Sequence, residues 1–108
     1  MLRRKPKRRY VLIWHASIKD IESVEILRRR CAELFGLVTV EKASIRQMRL
    51  FGDRIVLSVN LPQLHQVLVS ISLCHPPVVV LDMSGSLRQL EERIRRSDTL
   101  RAAMNTEP

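Results

Sequence analysis

The spacing of apolar residues in this 108-residue chain alternates between strand-like and helix-like segments. The order of these segments is the feature that most constrains how the chain can fold. Residues 10–16 are rich in β-branched and aromatic side chains, which predicts a first strand. A helical apolar repeat over about residues 21–35 predicts a helix, and Gly36 is its expected stop. Residues 37–51 predict a second strand, with a bulge or short loop near residues 43–44, where the alternation breaks.

The second half of the chain repeats this order. Residues 52–53 predict a hairpin turn into a third strand over residues 54–60, in which apolar side chains alternate. A second helix is expected over about residues 62–74, because a proline stands at its start. Residues 78–83 predict a fourth strand, and the S-x-x-Q capping box that begins at Ser86 predicts a third helix.

Two split βαβ units in this order form one four-stranded antiparallel sheet. We therefore expect an α+β, ferredoxin-like domain of βαββαβ order with an added C-terminal helix. The length fits a single domain, which divides the chain into a basic N-terminal arm (residues 1–9), the ferredoxin-like domain (residues 10–96) and a C-terminal tail (residues 97–108). RNA-recognition modules, metabolite sensors and small enzymes share this architecture, so it does not decide function.

The positive charge of the chain is concentrated at its N-terminus. The net charge is +8, and the 99 residues after the arm contain 13 basic and 11 acidic side chains. A basic arm of this kind is typical of proteins that contact nucleic-acid phosphates, although a solubilising or targeting segment has the same composition. The six basic residues of the arm are candidate RNA contacts: Arg3, Arg4, Lys5, Lys7, Arg8 and Arg9.

The sequence offers no recognisable catalytic or metal-binding motif. His15, His65 and His75 lie in no H-x-x-E, HExxH or nucleophile-elbow context, and Asp82 is a lone acid at a strand end. We therefore expect no catalytic residue, no metal and no cofactor on this chain. The two cysteines lack metal-ligand spacing and fit free thiols in a reducing compartment, which favours the cytoplasm.

Basic residues outside the arm favour phosphate contacts over base recognition. The third strand contains no aromatic residue on which bases could stack. In the run at residues 28–30, we expect Arg29 to pair with its neighbouring glutamates, which leaves Arg30 as the candidate RNA contact. In the third helix, ion pairs are expected between Glu91 and Arg95 and between Glu92 and Arg96.

The Ser84-Gly85-Ser86 segment joins a strand to the start of a helix. Glycine lets the backbone approach a ligand, and the free N–H groups of a helix N-terminus attract anions. Arg88 in the first turn opposes the helix dipole, and a phosphate bound there would compensate for it. These four residues are candidate RNA contacts; simple capping by Ser86 is the competing interpretation.

The second helix has apolar residues on two sides. One side fits the core, and the other contains Pro62, Val69 and Leu73. This second side predicts a protein partner, unless the third helix or the tail covers it. Residues 55–81 contain no formal charge, but prolines and polar side chains interrupt them, so we do not expect a membrane span or a membrane partner.

Several segments together resemble the ribonuclease P protein component 2 family of archaea, whose eukaryotic counterpart belongs to ribonucleases P and MRP. The resemblance covers about residues 7–96. The Val80-to-Leu87 junction is the most specific segment, with Ser86 where the family has threonine. The other matching segments are residues 7–11, 33–36, 52–59 and 64–68.

The resemblance implies a ferredoxin-like subunit of a ribonucleoprotein that removes 5′ leaders from precursor tRNA. In that family the RNA is the catalyst, so Mg²⁺ is expected on the RNA and not on this chain. The implied partners are the ribonuclease P RNA and a homologue of ribonuclease P protein component 3, with a possible homodimer inside a heterotetramer. The residues alone leave two alternatives open: a stand-alone basic RNA-binding module, and a ferredoxin-like ligand-sensing or structural dimer.

Overall fold

A computed structural model of the chain describes residues 7–15 and 20–104. Arg3, Arg4 and Lys5, which are candidate contacts in the arm, lie outside the described residues. The elements, in chain order, are β1 (Arg8–His15), α1 (Asp20–Phe35), α2 (Leu37–Ala43), β2 (Arg46–Phe51), β3 (Arg54–Asn60), a 3₁₀ turn (Leu61–Gln63), α3 (Leu64–Ser72), β4 (Val78–Ser84) and α4 (Leu87–Met104).

The four strands form one antiparallel sheet in the order β2-β3-β1-β4. The hairpin between β2 and β3 turns at Gly52, whose φ of 63° favours glycine. The central strand β1 pairs with β3 on one side, where Val11 faces Leu57, and with β4 on the other. This topology confirms the predicted ferredoxin-like α+β sheet.

The predicted second strand is wrong over its first half. Residues 37–43 form the helix α2, and β2 begins only at Arg46. Gly36, with φ 89°, ends α1 and redirects the chain into a further turn of helix, which ends at Ser44 in the left-handed region. The β-branched residues of this segment produced the strand signal, but burial of Ala43 in the core favours the helix.

One face of the sheet packs against α1, α2 and α3. Alternate residues of β1 and β3 point to this face, because side chains in a strand alternate between the two sides. The result is the main core, formed by Val11, Ile13, Val24, Leu27, Ala43, Ile45, Ile55, Leu57, Val59, Val67, Ile71, Cys74 and Val78.

The opposite face of the sheet is covered by α4. Leu12 and Val56 from the sheet pack against Leu90 and Ile94 of α4, and the last of these is 3% exposed. Tyr10, Phe51 and Leu87 surround this second core. The helix continues past residue 96 to Met104, so the first part of the segment assigned to the tail is helical. The added helix is therefore an integral layer of the domain.

Candidate nucleic-acid interface

Arg8 is half-buried and hydrogen-bonded to other segments of the fold, although it belongs to the predicted basic arm. Its Nη1 donates to Asn60 Oδ1 at 2.6 Å, and its Nη2 donates to the carbonyl oxygens of Ser44 at 2.5 Å and Ser58 at 3.0 Å. Its Nε donates to the Ser58 hydroxyl. Desolvation, with Arg46 nearby, lowers the pKa of the Arg8 guanidinium from its usual value. Arg8 thus ties β1 to β3 and to the end of α2.

Arg9 belongs to the same strand but lies at a different site. Its guanidinium lies over Gly85, so that a Cβ added at Gly85 would come within 3.3 Å of Arg9 Nη1. Its Nη1 donates a hydrogen bond to the carbonyl oxygen of Arg8, at 3.1 Å. The structure therefore brings Arg9 from the N-terminal segment to the strand–helix junction at residues 84–86, two candidates that are far apart in the sequence.

The two serines of this junction act as capping groups. The Ser86 hydroxyl accepts the N–H of Gln89 at 3.3 Å, as its capping box predicts. The Ser84 hydroxyl accepts the N–H of Ser86 at 3.1 Å. Arg88 is 91% exposed in its side chain, with Glu92 3.8 Å away. The junction thus combines capped backbone with the exposed guanidinium of Arg88 and the neighbouring one of Arg9.

The predicted pairing in the arginine run of α1 is wrong. Arg28 pairs with Glu25 at 2.6 Å, and Arg30 pairs with Glu33 at 3.1 Å. Each glutamate pairs with an arginine three residues away along the helix. Arg29 is exposed and has no carboxylate within 4 Å among the described residues. Arg30 therefore has its charge partly balanced on α1.

The predicted ion pairs of α4 are wrong as well. Glu91 pairs with Arg49 of β2 at 3.1 Å instead of with Arg95, and the nearest cation to Glu92 is Arg88. The spacing of charged residues along a sequence predicts ion pairs only within one helix. It therefore could not predict that Glu91 would pair with an arginine of a strand. Arg95 and Arg96 are exposed, and consequently neither has a carboxylate within 4 Å in the described part of the chain. Their sequence pattern indicates ion pairs within the helix, so it does not identify them as candidate contacts.

The predicted partner side of α3 is partly open. Leu73, just after the helix, is 51% exposed, Val69 is half-buried, and Pro62 is exposed in the 3₁₀ turn. Because α4 packs on the opposite face of the sheet, it does not cover this side. Partner binding at these residues stays a prediction.

Groups suited to catalysis are dispersed in the described residues. No group of three or more His, Cys, Asp or Glu side chains in residues 7–15 and 20–104 could hold a metal ion. Asp82 is paired with Arg93 at 3.4 Å. Cys31 and Cys74 are both buried free thiols, and burial raises the pKa of the Cys74 thiol. None of the described helices is both long and apolar enough to cross a membrane.

The fold and the site define a class of protein: a ferredoxin-like α+β domain whose second sheet face is covered by an arginine-rich helix. RNA-recognition modules stack bases on the corresponding open sheet face. Here Tyr10 and Phe51, which could stack on bases, pack against α4 instead. Any contact with nucleic acid on this side of the sheet therefore has to use the outer surface of α4 and the junction before it.

Comparison with known proteins identifies a related architecture. The chain is similar to a chain in the cryo-EM structure of yeast ribonuclease MRP, with a TM-score of 0.63 and 14% sequence identity. The match covers 95% of this chain and 99% of that one, so the two chains share their fold over almost their whole length. No family model and no curated protein matches the sequence.

Proposed function

We propose that this chain is a non-catalytic protein subunit of a ribonuclease P-type ribonucleoprotein, which binds and stabilises the catalytic RNA during 5′-leader removal from precursor tRNA. The observation that carries the proposal is the shared fold with a chain of yeast ribonuclease MRP over 99% of that chain. The sequence segments that resemble ribonuclease P protein component 2 are a separate line of support for the same conclusion.

The proposed physical role is neutralisation of RNA phosphates. A folded RNA brings many phosphates together, and basic side chains offset their repulsion while counterions are released. The proposed contacts are the arm residues Arg3, Arg4, Lys5 and Lys7, with Arg9, Ser84, Gly85, Ser86 and Arg88 at the junction. Arg8 supports this surface from within the fold, since its donors are occupied there. Arg30 is a secondary candidate on α1.

The chemistry would belong to the RNA. Mg²⁺ would be held by RNA phosphates, and the protein would favour the compact RNA in which the ions are bound.

On the other side of the molecule, Pro62, Val69 and Leu73 would contact the component 3 homologue or a second copy of this chain within a heterotetramer. The proposed location of this assembly is the cytoplasm.

RNA binding by the full chain, in the presence of the component 3 homologue, tests the proposal. We expect the ribonuclease P RNA of the same organism to bind at least about tenfold more tightly than an unrelated structured RNA of equal length. Deleting residues 1–6 should lower the slope of log affinity against log salt by about 2, because each neutralised phosphate contributes about 0.7–0.9. This deletion spares Arg8. Equal affinity for the two RNAs would contradict the proposed function.

A further inference from the structure

The outer surface of α4 has an excess of unpaired positive charge that comes from its packing on the sheet. The helix contains five arginines and three acidic residues. Two of its acids are neutralised from the sheet: Glu91 by Arg49 at 3.1 Å, and Asp98 by Arg54 at 2.9 Å. Glu91 and Asp98 thus pair with arginines of the sheet and not with arginines of their own helix. Some arginines of the helix are therefore left without a carboxylate.

Three arginines and one acid, Glu92, lie on the side of α4 that faces away from the core. Arg88 is 3.8 Å from Glu92, and the other two arginines have no carboxylate within 4 Å among the described residues. At 100° per residue, Arg88, Arg95 and Arg96 point away from Leu90 and Ile94, which contact the sheet. All three arginines are exposed. Arg88 and Arg96 are eight residues apart, or about 12 Å along the helix axis. They form a cationic row, defined here as Arg88, Arg95 and Arg96, which begins at the junction where Arg9 lies over Gly85.

We infer that this cationic row binds the phosphate backbone of double-helical RNA. The inference rests on the proposed function and extends it to residues beyond the arm and the junction. A row of guanidinium groups on a rigid helix matches regularly spaced phosphates, to which arginine donates in pairs. A duplex presents its phosphates and 2′-hydroxyls outward and keeps its bases inside.

Single-stranded RNA fits this surface less well. Binding of single strands relies on aromatic side chains that stack on successive bases. No residue of α4 is aromatic, and Tyr10 and Phe51 are packed beneath the helix. An apolar protein interface fits poorly too, because Arg95 and Arg96 would lose their water without a carboxylate within 4 Å among the described residues. The chemistry therefore favours the backbone of a duplex.

Two charge-matched double variants of the full chain test the inference. R95Q/R96Q removes two charges from the cationic row, and R29Q/K42Q removes two charges from the α1–α2 side. All four side chains are exposed, and none has a carboxylate within 4 Å among the described residues. Circular dichroism should show that both variants remain folded. The probes are a 20-base-pair RNA duplex and one of its strands alone, each titrated over a range of KCl concentrations.

For the duplex, R95Q/R96Q should lower the slope of log affinity against log salt by about 1.5, at about 0.7–0.9 for each lost phosphate contact. R29Q/K42Q should leave the slope unchanged, and R95K/R96K should restore most of it. Equal losses in both double variants, a larger loss in R29Q/K42Q, or a wild-type preference for the single strand would each overturn the inference. If the wild-type chain also fails to prefer ribonuclease P RNA over an unrelated RNA, the proposed function fails with it; if that preference remains, only the α4 surface is wrong.

Discussion

Arg8 and Arg9 show how two identical neighbours acquire different roles. Successive residues of a strand point to opposite faces, so the two side chains diverge at once. Arg8 reaches Asn60, Ser44 and Ser58, whereas Arg9 turns to Gly85. From composition alone, both residues are positive charges of a basic arm. In the strand, the Arg8 side chain stabilises the fold, whereas Arg9 lies near the surface that we propose for RNA.

Replacing Arg8 by alanine should therefore destabilise the fold by about 2 kcal/mol, since hydrogen bonds from a charged donor are lost and their acceptors lose a partner. Arg8→Lys should recover only part of this loss, because an ammonium cannot reproduce the guanidinium fork. The control, Arg9→Gln, should change stability by less than about 0.5 kcal/mol. Urea unfolding followed by circular dichroism measures all three. Similar losses for the alanine and glutamine variants would show that Arg8 has no special structural role.

At the scale of elements, α4 decides which face of the sheet is available. Its apolar residues Leu90 and Ile94 close the second core, while Arg49 and Arg54 of the sheet pair with its acids. An element that merely extended the chain would leave Leu12 and Val56 in water. The helix therefore stabilises the domain on one side and presents arginines on the other.

Leu90→Ala should cost about 3 kcal/mol, since it leaves a cavity in a fully buried position between helix and sheet. Leu100→Ala on the same helix is the matched control, because that side chain is 63% exposed, and it should be nearly neutral. Equilibrium unfolding in urea gives both values. If Leu90→Ala proved as mild as the control, α4 would not be docked on the sheet in solution.

The order of the elements could be predicted from the sequence because apolar spacing and turn residues report local structure. Gly52, Pro62 and the capping box at Ser86 each marked a boundary that the structure confirms. The helix α2 could not be predicted in this way, because its β-branched residues favour a strand until the burial of Ala43 is known.

The candidate site could be predicted only in part. The junction at residues 84–86 is contiguous in the chain, and its sequence pattern identified it. Arg9 meets Gly85 only through the pairing of β1 with β4. Arg95 and Arg96 lack the ion pairs that local spacing predicts, because Glu91 pairs with Arg49 of β2 and the nearest cation to Glu92 is Arg88. Ion pairs between distant segments depend on tertiary packing, so they cannot be predicted from the local spacing of charged residues.

At the scale of the whole molecule, the sheet separates two surfaces. The cationic row and the junction lie on the α4 side, and the apolar residues around α3 belong to the other layer. This separation would let RNA and a protein partner bind at the same time without competing. Of the two apolar residues, Val69 is half-buried and Leu73 is exposed. Leu73 is therefore the residue to change in a test of partner binding, because its replacement does not disturb the packing.

Leu73→Asp should leave the monomer folded and weaken its association with the component 3 homologue or with a second copy, because it places a charge in an apolar contact. Leu100→Asp, on the exposed end of α4, is the control and should not affect association. Analytical ultracentrifugation, alone and with the homologue, measures the association. Normal association of a folded Leu73→Asp variant would place the partner elsewhere.

Cleavage of precursor tRNA by a reconstituted assembly tests the central claim most directly. The ribonuclease P RNA and the component 3 homologue of the same organism would be assayed with this chain, without it, and with the chain alone. We predict that the chain increases correct 5′-leader removal at low Mg²⁺ concentration, and that the chain alone cleaves nothing. Cleavage by the purified chain, or an assembly whose rate is the same with and without it, would contradict the account.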